Sequence, residues 1–331
     1  MRKISIVLSL FILVSCAYES NNELTIFTSR QPQLLEPIIE NFSQETGIKV
    51  NLLSGNAQEL MERIDIEGDK SKADIFMTVD AGVLWQATER NIFSKTDSNI
   101  LKDNVPSYLR DPDGQWFGLS KRARTIVFSN DQFSQNDFSS YEDLANPKWK
   151  GKLCLRTSKK VYNRSLIASM IDAYGFEQTQ NVVSGWISNL ATEVFSNDTN
   201  ALKAVSSGQC GVTIVNTYYL ARLLDDSKYD NLELFWANQS GRGVHVNISG
   251  AGIVKTSKNK ENAQKLLEYL SSNSAQDLYA SANKEYPVLK EADIADSIKD
   301  WGVFIEDDIN GSKLGSLQKE AVFLAQEVGY K

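Results

Sequence analysis

Val212-Thr213-Ile214-Val215-Asn216-Thr217-Tyr218-Tyr219-Leu220-Ala221-Arg222-Leu223-Leu224 changes period once along its length. The apolar run 212–215 is short and β-branched, which predicts a buried strand, and 220–224 predicts a short helix. A strand running straight into a helix is the repeating unit of α/β folds. The reading places Tyr218 and Tyr219 at the carboxyl end of the strand. In open α/β sheets that edge is where ligands bind. A phenol there can donate a proton, stack on a ligand, or lose its proton to a hard cation. The same pair can also be packing, with rings buried and a hydroxyl bonded.

The alternation extends in both directions. Upstream, 23–27 predicts a strand, 28–32 a turn, and 33–45 a helix with Leu35, Ile38, Ile39 and Phe42 on one face. Gly47 ends that helix. A strand at 48–53, a helix carrying Leu60, Ile64 and Ile66, a strand at 73–77 and a helix at 81–89 follow. This order implies a parallel sheet covered by helices. After a strand at 125–128 comes a second α/β set: a strand at 152–156, helices near 164–174, 177–190 and 199–207, and the strand that ends at Val215. The stretches 244–247 and 251–254 predict a return crossing, and helices near 260–271, 274–280 and 315–328 close the chain. The expected fold class is α/β in two lobes with a hinge between them. Residues 23–122 plus 246–290 form the first lobe and 123–245 plus 291–331 the second. Such a molecule holds its ligand in the cleft and closes by a hinge motion.

Composition agrees with a globular chain long enough for two cores: 331 residues, 42% hydrophobic and 23% charged. A net charge of −7 without a basic block argues against nucleic acid as a partner. Arg2-Lys3 followed by the apolar run 4–14 is a signal segment too short to span a bilayer. It ends in Leu13-Val14-Ser15-Cys16, which resembles a bacterial lipobox, so residues 1–15 are expected to be removed and Cys16 to carry lipid. Residues 16–22 are then a polar tether, and the membrane is met through the anchor alone. Cys154 and Cys210 remain, and export permits a disulfide between them; their spacing is not that of a zinc site. No Gly-x-Ser-x-Gly elbow, His-Glu-x-x-His or phosphate loop is present, and the only histidine is His245. His245 lies in an alternating strand pattern and is expected to be structural and hydrogen-bonded.

Tyr162, in Val161-Tyr162-Asn163-Arg164-Ser165, lies at a second strand's carboxyl end in the same lobe as Tyr218 and Tyr219. A free tyrosine has a pKa near ~10 and is neutral at physiological pH, but a highly charged cation displaces its proton. Soft or borderline ions prefer thiolate and imidazole, while Ca²⁺ and Mg²⁺ prefer carboxylate and carbonyl. Three phenolates suit Fe³⁺, whose charge theirs cancels.

The chain resembles the ferric-iron-binding periplasmic proteins of ABC importers. The matching stretches are Tyr162-Asn163, Asn216-Thr217-Tyr218-Tyr219, Lys121-Arg122-Ala123-Arg124, Ala73-Asp74-Ile75-Phe76-Met77-Thr78-Val79-Asp80-Ala81-Gly82 and Gly241-Arg242-Gly243-Val244-His245-Val246-Asn247. They cover nearly the whole chain after the signal, in order. The resemblance implies a periplasmic-binding-protein type II fold, a monomer, an ABC permease as partner, and Tyr162, Tyr218 and Tyr219 as iron ligands. Many members of that family place a histidine or a His-Tyr pair after the first strand, and some a carboxylate after the third. Here Gln31-Pro32 and Val79 occupy those places, with Asp80 next to Val79. Three tyrosines leave about three octahedral positions open. The resemblance to members lacking the histidine implies that carbonate or another small synergistic anion fills them, held by Arg30, Gln31 and Arg122. Helix-start N–H groups and paired guanidinium bonds suit such an anion. Arg124 is expected outside this core, Glu59 on an exposed helix face, and Asp80 near the cleft at most. Two other readings stay open: a binding protein for an organic solute or oxyanion without metal, and an exported hydrolase built on His245. Fe²⁺ as the cargo is also compatible with the sequence.

Overall fold

The computed structural model describes residues 22–331, so Cys16, the signal segment and the tether up to residue 21 lie outside the described residues. The chain opens with β1 (Glu23–Thr28), α1 (Glu36–Thr46), β2 (Lys49–Ser54), α2 (Ala57–Glu67), β3 (Ile75–Thr78) and α3 (Ala81–Glu89). β1 lies between β2 and β3 and is parallel to both. Helix α1 buries Ile38, Ile39 and Phe42 and stops at Gly47, whose left-handed φ of 71° strains any residue with a Cβ. Helix α2 begins where the Asn56 side chain accepts from the Gln58 and Glu59 amides.

Beyond α4 (Asn99–Asn104) the sheet departs from expectation. The strand expected at 125–128 is the second half of β4 (Phe117–Ser129). The remaining elements are β5 (Leu153–Cys154), α5 (Val161–Tyr174), α6 (Phe176–Ser188), α7 (Asp198–Ser206), β6 (Val212–Asn216), α8 (Thr217–Leu223), β7 (Leu232–Phe235), β8 (Val246–Ile253), α9 (Lys260–Leu270), α10 (Asn273–Asn283), α11 (Asp296–Lys299), α12 (Gly311–Ser316) and α13 (Gln318–Glu327). The sheet runs β2-β1-β3-β8-β4-β6-β5, with β7 also on β4. It is mixed, not parallel. β8 returns from the second half of the chain to lie antiparallel between β3 and β4, and β4 is antiparallel to β6 and β7. The return crossing expected from 244–247 and 251–254 is thus one continuous strand, β8. Gly250 and Gly252 make this possible: a Cβ would stand 2.6 Å from the Phe117 carbonyl oxygen at Gly250 and 2.3 Å from that of Gln115 at Gly252.

β4 and β8 join two apolar cores. Leu24, Ile26, Phe76, Leu84, Leu119 and Ile253 belong to the first. Ile126, Trp149, Leu166, Ile214 and Val246 belong to the second. The core changes between Leu119 and Ala123 on β4, and between Val246 and Ile248 on β8. A disulfide joins Cys154 to Cys210 with 5.9 Å between Cα atoms, among Val127, Leu202, Val205 and Val215. The helix expected at 315–328 is broken at Leu317 into α12 and α13. Gly311 packs against Ala81 and Trp116 and Gly315 against Trp85, so α12 lies on α3, while Leu314 enters the second core.

Candidate functional site

Tyr218 and Tyr219 occupy the first turn of α8, directly after β6, and Tyr162 is the second residue of α5. The Tyr218 and Tyr219 rings lie 4.3 Å apart between centroids. All three tyrosines line one cavity of about 200 Å³, together with Ser29, Arg30, Gln31 and Val79 from the segments that follow β1 and β3, and Arg122, Arg222, Ser249 and Glu285. A larger cavity of about 630 Å³ opens by Glu23, Thr25 and Asp74 at the start of β1 and β3, but it gathers no phenol and lies away from the strands' carboxyl ends. Tyr218 is buried, and burial holds its phenol well above the ordinary value. Tyr162 and Tyr219 push the same way, while Arg122 pulls down. Burial and Tyr162 likewise raise Tyr219, against the pull of Arg156. These phenols are therefore protonated at neutral pH until something displaces the proton.

A fully buried arginine fixes the three tyrosine-bearing segments to one another. Arg124 donates from Nε to Asn163 (2.9 Å), from Nη1 to Asp198 (3.1 Å) and Asn216 (3.2 Å), and from Nη2 to the Ile214 carbonyl (2.9 Å). Asn163 is Tyr162's neighbour in α5. Asn216 precedes α8, and its amide donates to the Tyr218 hydroxyl at 3.4 Å. Asp198 opens α7 and also pairs with Arg156 at 3.2 Å, whose guanidinium lies over the Tyr162 ring. Arg124, expected outside the core, thus supports it from beneath. No short motif marks this role; the signal in the sequence was the alternation Arg122-Ala123-Arg124, which points both guanidiniums to one face of β4.

The facing wall carries Arg30, Gln31 and Arg122. Arg30 is buried and its guanidinium is already occupied: Nη2 donates to Glu285 Oε2 (3.0 Å) and Nη1 to Ser249 (2.7 Å) and Ser120 (3.4 Å). Only its Nε lacks a partner. Arg122 donates from Nη1 to Ser249 (3.3 Å) and from Nη2 to the Val79 carbonyl, lies over the Tyr162 ring, and keeps a free buried Nε. Gln31 is exposed at the edge of the cavity, accepting from Gln33 at 3.1 Å. Glu285, Arg222 and Ser249 are cavity residues that no sequence pattern announced. Glu285 follows the last turn of α10 and reaches the site only because Lys121 and Tyr286 bridge their strands.

Residues 70–305 match the family model of bacterial extracellular solute-binding proteins. The chain belongs to that family. It is 44% identical to iron uptake protein A1 of Synechocystis sp. over 93% of this chain and 88% of that protein. Trichodesmium IdiA (FutA), solved in complex with iron and citrate ligands, superposes with a TM-score of 0.90 at 42% identity, covering 93% of this chain and all of that one. The apo ferric ion-binding protein A of Pasteurella haemolytica superposes at 0.86 with 40% identity, covering 93% and 98%. The fold is that of the type II periplasmic binding proteins. The family is one of solute-binding proteins rather than enzymes.

Two further groups of this solute-binding protein lie outside the cavity. Asp80 is fully buried, caps α3 through the Val83 amide, and accepts from Ser165 (2.8 Å), Asn247 (2.8 Å) and Gln318 (3.3 Å). Burial raises its carboxyl despite those bonds. It ties α3 to α5, β8 and α13 instead of facing the cleft. His245 is buried, with a backbone amide that donates to the Tyr141 hydroxyl at 3.1 Å. Its ring nitrogens have no partner, contrary to the hydrogen-bonded ring expected. Burial, then Arg242, Arg124 and Arg122, hold its pKa well below the ordinary value. With neither ring nitrogen bonded to another group, His245 is not held in a nucleophile–base pair. Glu59 is exposed, as expected.

Proposed function

We propose that this protein captures ferric iron on Tyr162, Tyr218 and Tyr219, together with carbonate or another small synergistic anion, and delivers it to an ABC permease. The observation that carries the reading is the meeting of three phenols in one cavity whose opposite wall supplies arginine. Among the described residues no group of three or more His, Cys, Asp or Glu side chains could hold a metal, which leaves phenolate as the anionic donor. Fe³⁺ suits that donor: it is hard, it displaces phenol protons, and three phenolates cancel its charge. Relatives named for iron uptake and ferric ion binding point the same way. Gln31 and Pro32 offer no anionic donor, so the remaining positions fall to the anion and water. Arg122 holds the anion. Arg30 and Gln31 face it from the first lobe, with Arg30 contributing through its free Nε. Release follows from loss of the anion, protonation of the phenolates, or reduction, since Fe²⁺ is softer and less charged.

Lipid on Cys16 would hold a monomeric body at the membrane, outside the cytoplasm and within reach of the permease. No helix among the described residues is long and apolar enough to cross a membrane.

Titrating the metal-free protein with ferric iron in carbonate or citrate tests the reading. A visible phenolate-to-iron charge-transfer band should grow to one iron per chain and be lost or strongly weakened in Tyr218→Phe. A colourless protein that binds a sugar or phosphate instead would sink it.

A further inference from the structure

We infer that Glu285 sets the charge of the anion admitted to the cavity, favouring a small dianion over a trianion. The inference rests on the ferric reading of the same site.

Three guanidiniums and one carboxylate line the cavity: Arg30, Arg122, Arg222 and Glu285. Iron with three phenolates adds no net charge, so the arginines and Glu285 govern what an incoming anion meets. Arg156 and Arg124 both pair with Asp198 and are not among the residues lining the cavity. Glu285 is buried, and both Arg30 Nη2 (3.0 Å) and Ser120 Oγ (2.5 Å) donate to its Oε2. Its carboxyl is pushed up by burial but pulled further down by Arg30 and Arg122, so it stays ionised. It therefore offsets one of the two buried guanidiniums. The second, Arg122, stays uncompensated, and exposed Arg222 adds a charge that solvent screens. The net formal charge on the lining is +2, which matches carbonate or a small dicarboxylate. A third negative charge would lie against a buried carboxylate with nothing to balance it. Specificity by an opposing like charge is a recurrent device, and its effect grows as the site dries. The chain thus carries, on the wall that lacks a phenol, both the attraction and its limit.

The test compares iron retention, read by the charge-transfer band against a competing chelator, with malonate and with citrate as the sole anion. In Glu285→Gln, which preserves shape and removes charge, the citrate-to-malonate ratio should rise by about tenfold. The double variant Arg30→Gln, Glu285→Gln removes one charge of each sign and should return the ratio to within about twofold of the wild type. Glu285→Asp keeps the charge and should keep the wild-type ranking, although the Ser120 bond lengthens. An unchanged ratio in a folded Glu285→Gln protein would overturn the inference. So would loss of iron with both anions, which would make Glu285 a ligand or a purely structural partner of Arg30. If the wild type shows no band with either anion, the ferric reading itself falls, and this inference with it.

Discussion

The two walls of the cavity are built on opposite plans. The wall from the second lobe offers three phenols on two helix starts, braced from below by Arg124, Asp198, Asn163 and Asn216. The facing wall offers no phenol but an arginine clamped between a glutamate and two serines. One wall is therefore suited to bind a cation, the other to sense the anion that comes with it. On the proposed reading the cation is held by the phenol wall, and the arginine wall meets the anion that completes its shell.

The largest effect that tests this contrast falls on the phenol wall. Tyr162→Phe should weaken ferric binding by more than about a hundredfold, beyond the usual cost of losing a supporting group. Competition with a chelator of known strength measures it, and a tenfold loss or less would break the contrast. Next comes the brace. Arg124→Met leaves Asp198 with Arg156 alone and should cost about 3 kcal/mol of stability in chemical denaturation. It should also shift the charge-transfer maximum of the loaded protein, because Asn163 and Asn216 no longer hold the two helix starts together. A stability loss with an unchanged spectrum would make Arg124 a core residue only.

A smaller effect concerns pH. His245 is neutral and buried with its pKa far below the ordinary value. Below about pH 6.5 the unfolded chain takes up a proton there that the folded chain refuses, so stability falls by about 1.4 kcal/mol per pH unit. Above that pH both states are neutral and the contribution vanishes. Urea unfolding at pH 7 and pH 5 should show this slope in the wild type and a shallower one in His245→Gln; equal slopes would contradict it. The smallest effect belongs to Gln31, which is exposed. Gln31→Ala should change iron binding by less than about twofold. A larger loss would mean that the first lobe carries a direct ligand after all.

The helices and strands of the first lobe were legible because each is a local pattern. Leu35, Ile38, Ile39 and Phe42 mark one helical face, and Gly47 marks its end. The sheet's direction was not legible. Which strand lies beside β3 is decided by β8, more than 150 residues downstream, and by glycines that permit close approach to β4. The tyrosines stood out because they cluster at strand ends in a recognisable order. Their brace and their counterweight did not. Arg124 and Asp198 meet across 74 positions, and Arg30 and Glu285 across 255. Burial turns such distant charges into partners, and no spacing in the sequence encodes it. The clamp of Glu285, Ser249 and Ser120 on Arg30 is for that reason invisible in the sequence.

Tyrosine phenolates bound to ferric iron carry a vibrational signature of their own. A resonance Raman spectrum of the ferric-loaded protein, excited in its visible band, tests for it most directly. Phenolate ring modes should appear and weaken in each of Tyr162→Phe, Tyr218→Phe and Tyr219→Phe. A spectrum without phenolate modes, or with modes that all three substitutions leave unchanged, would contradict ferric binding by these tyrosines.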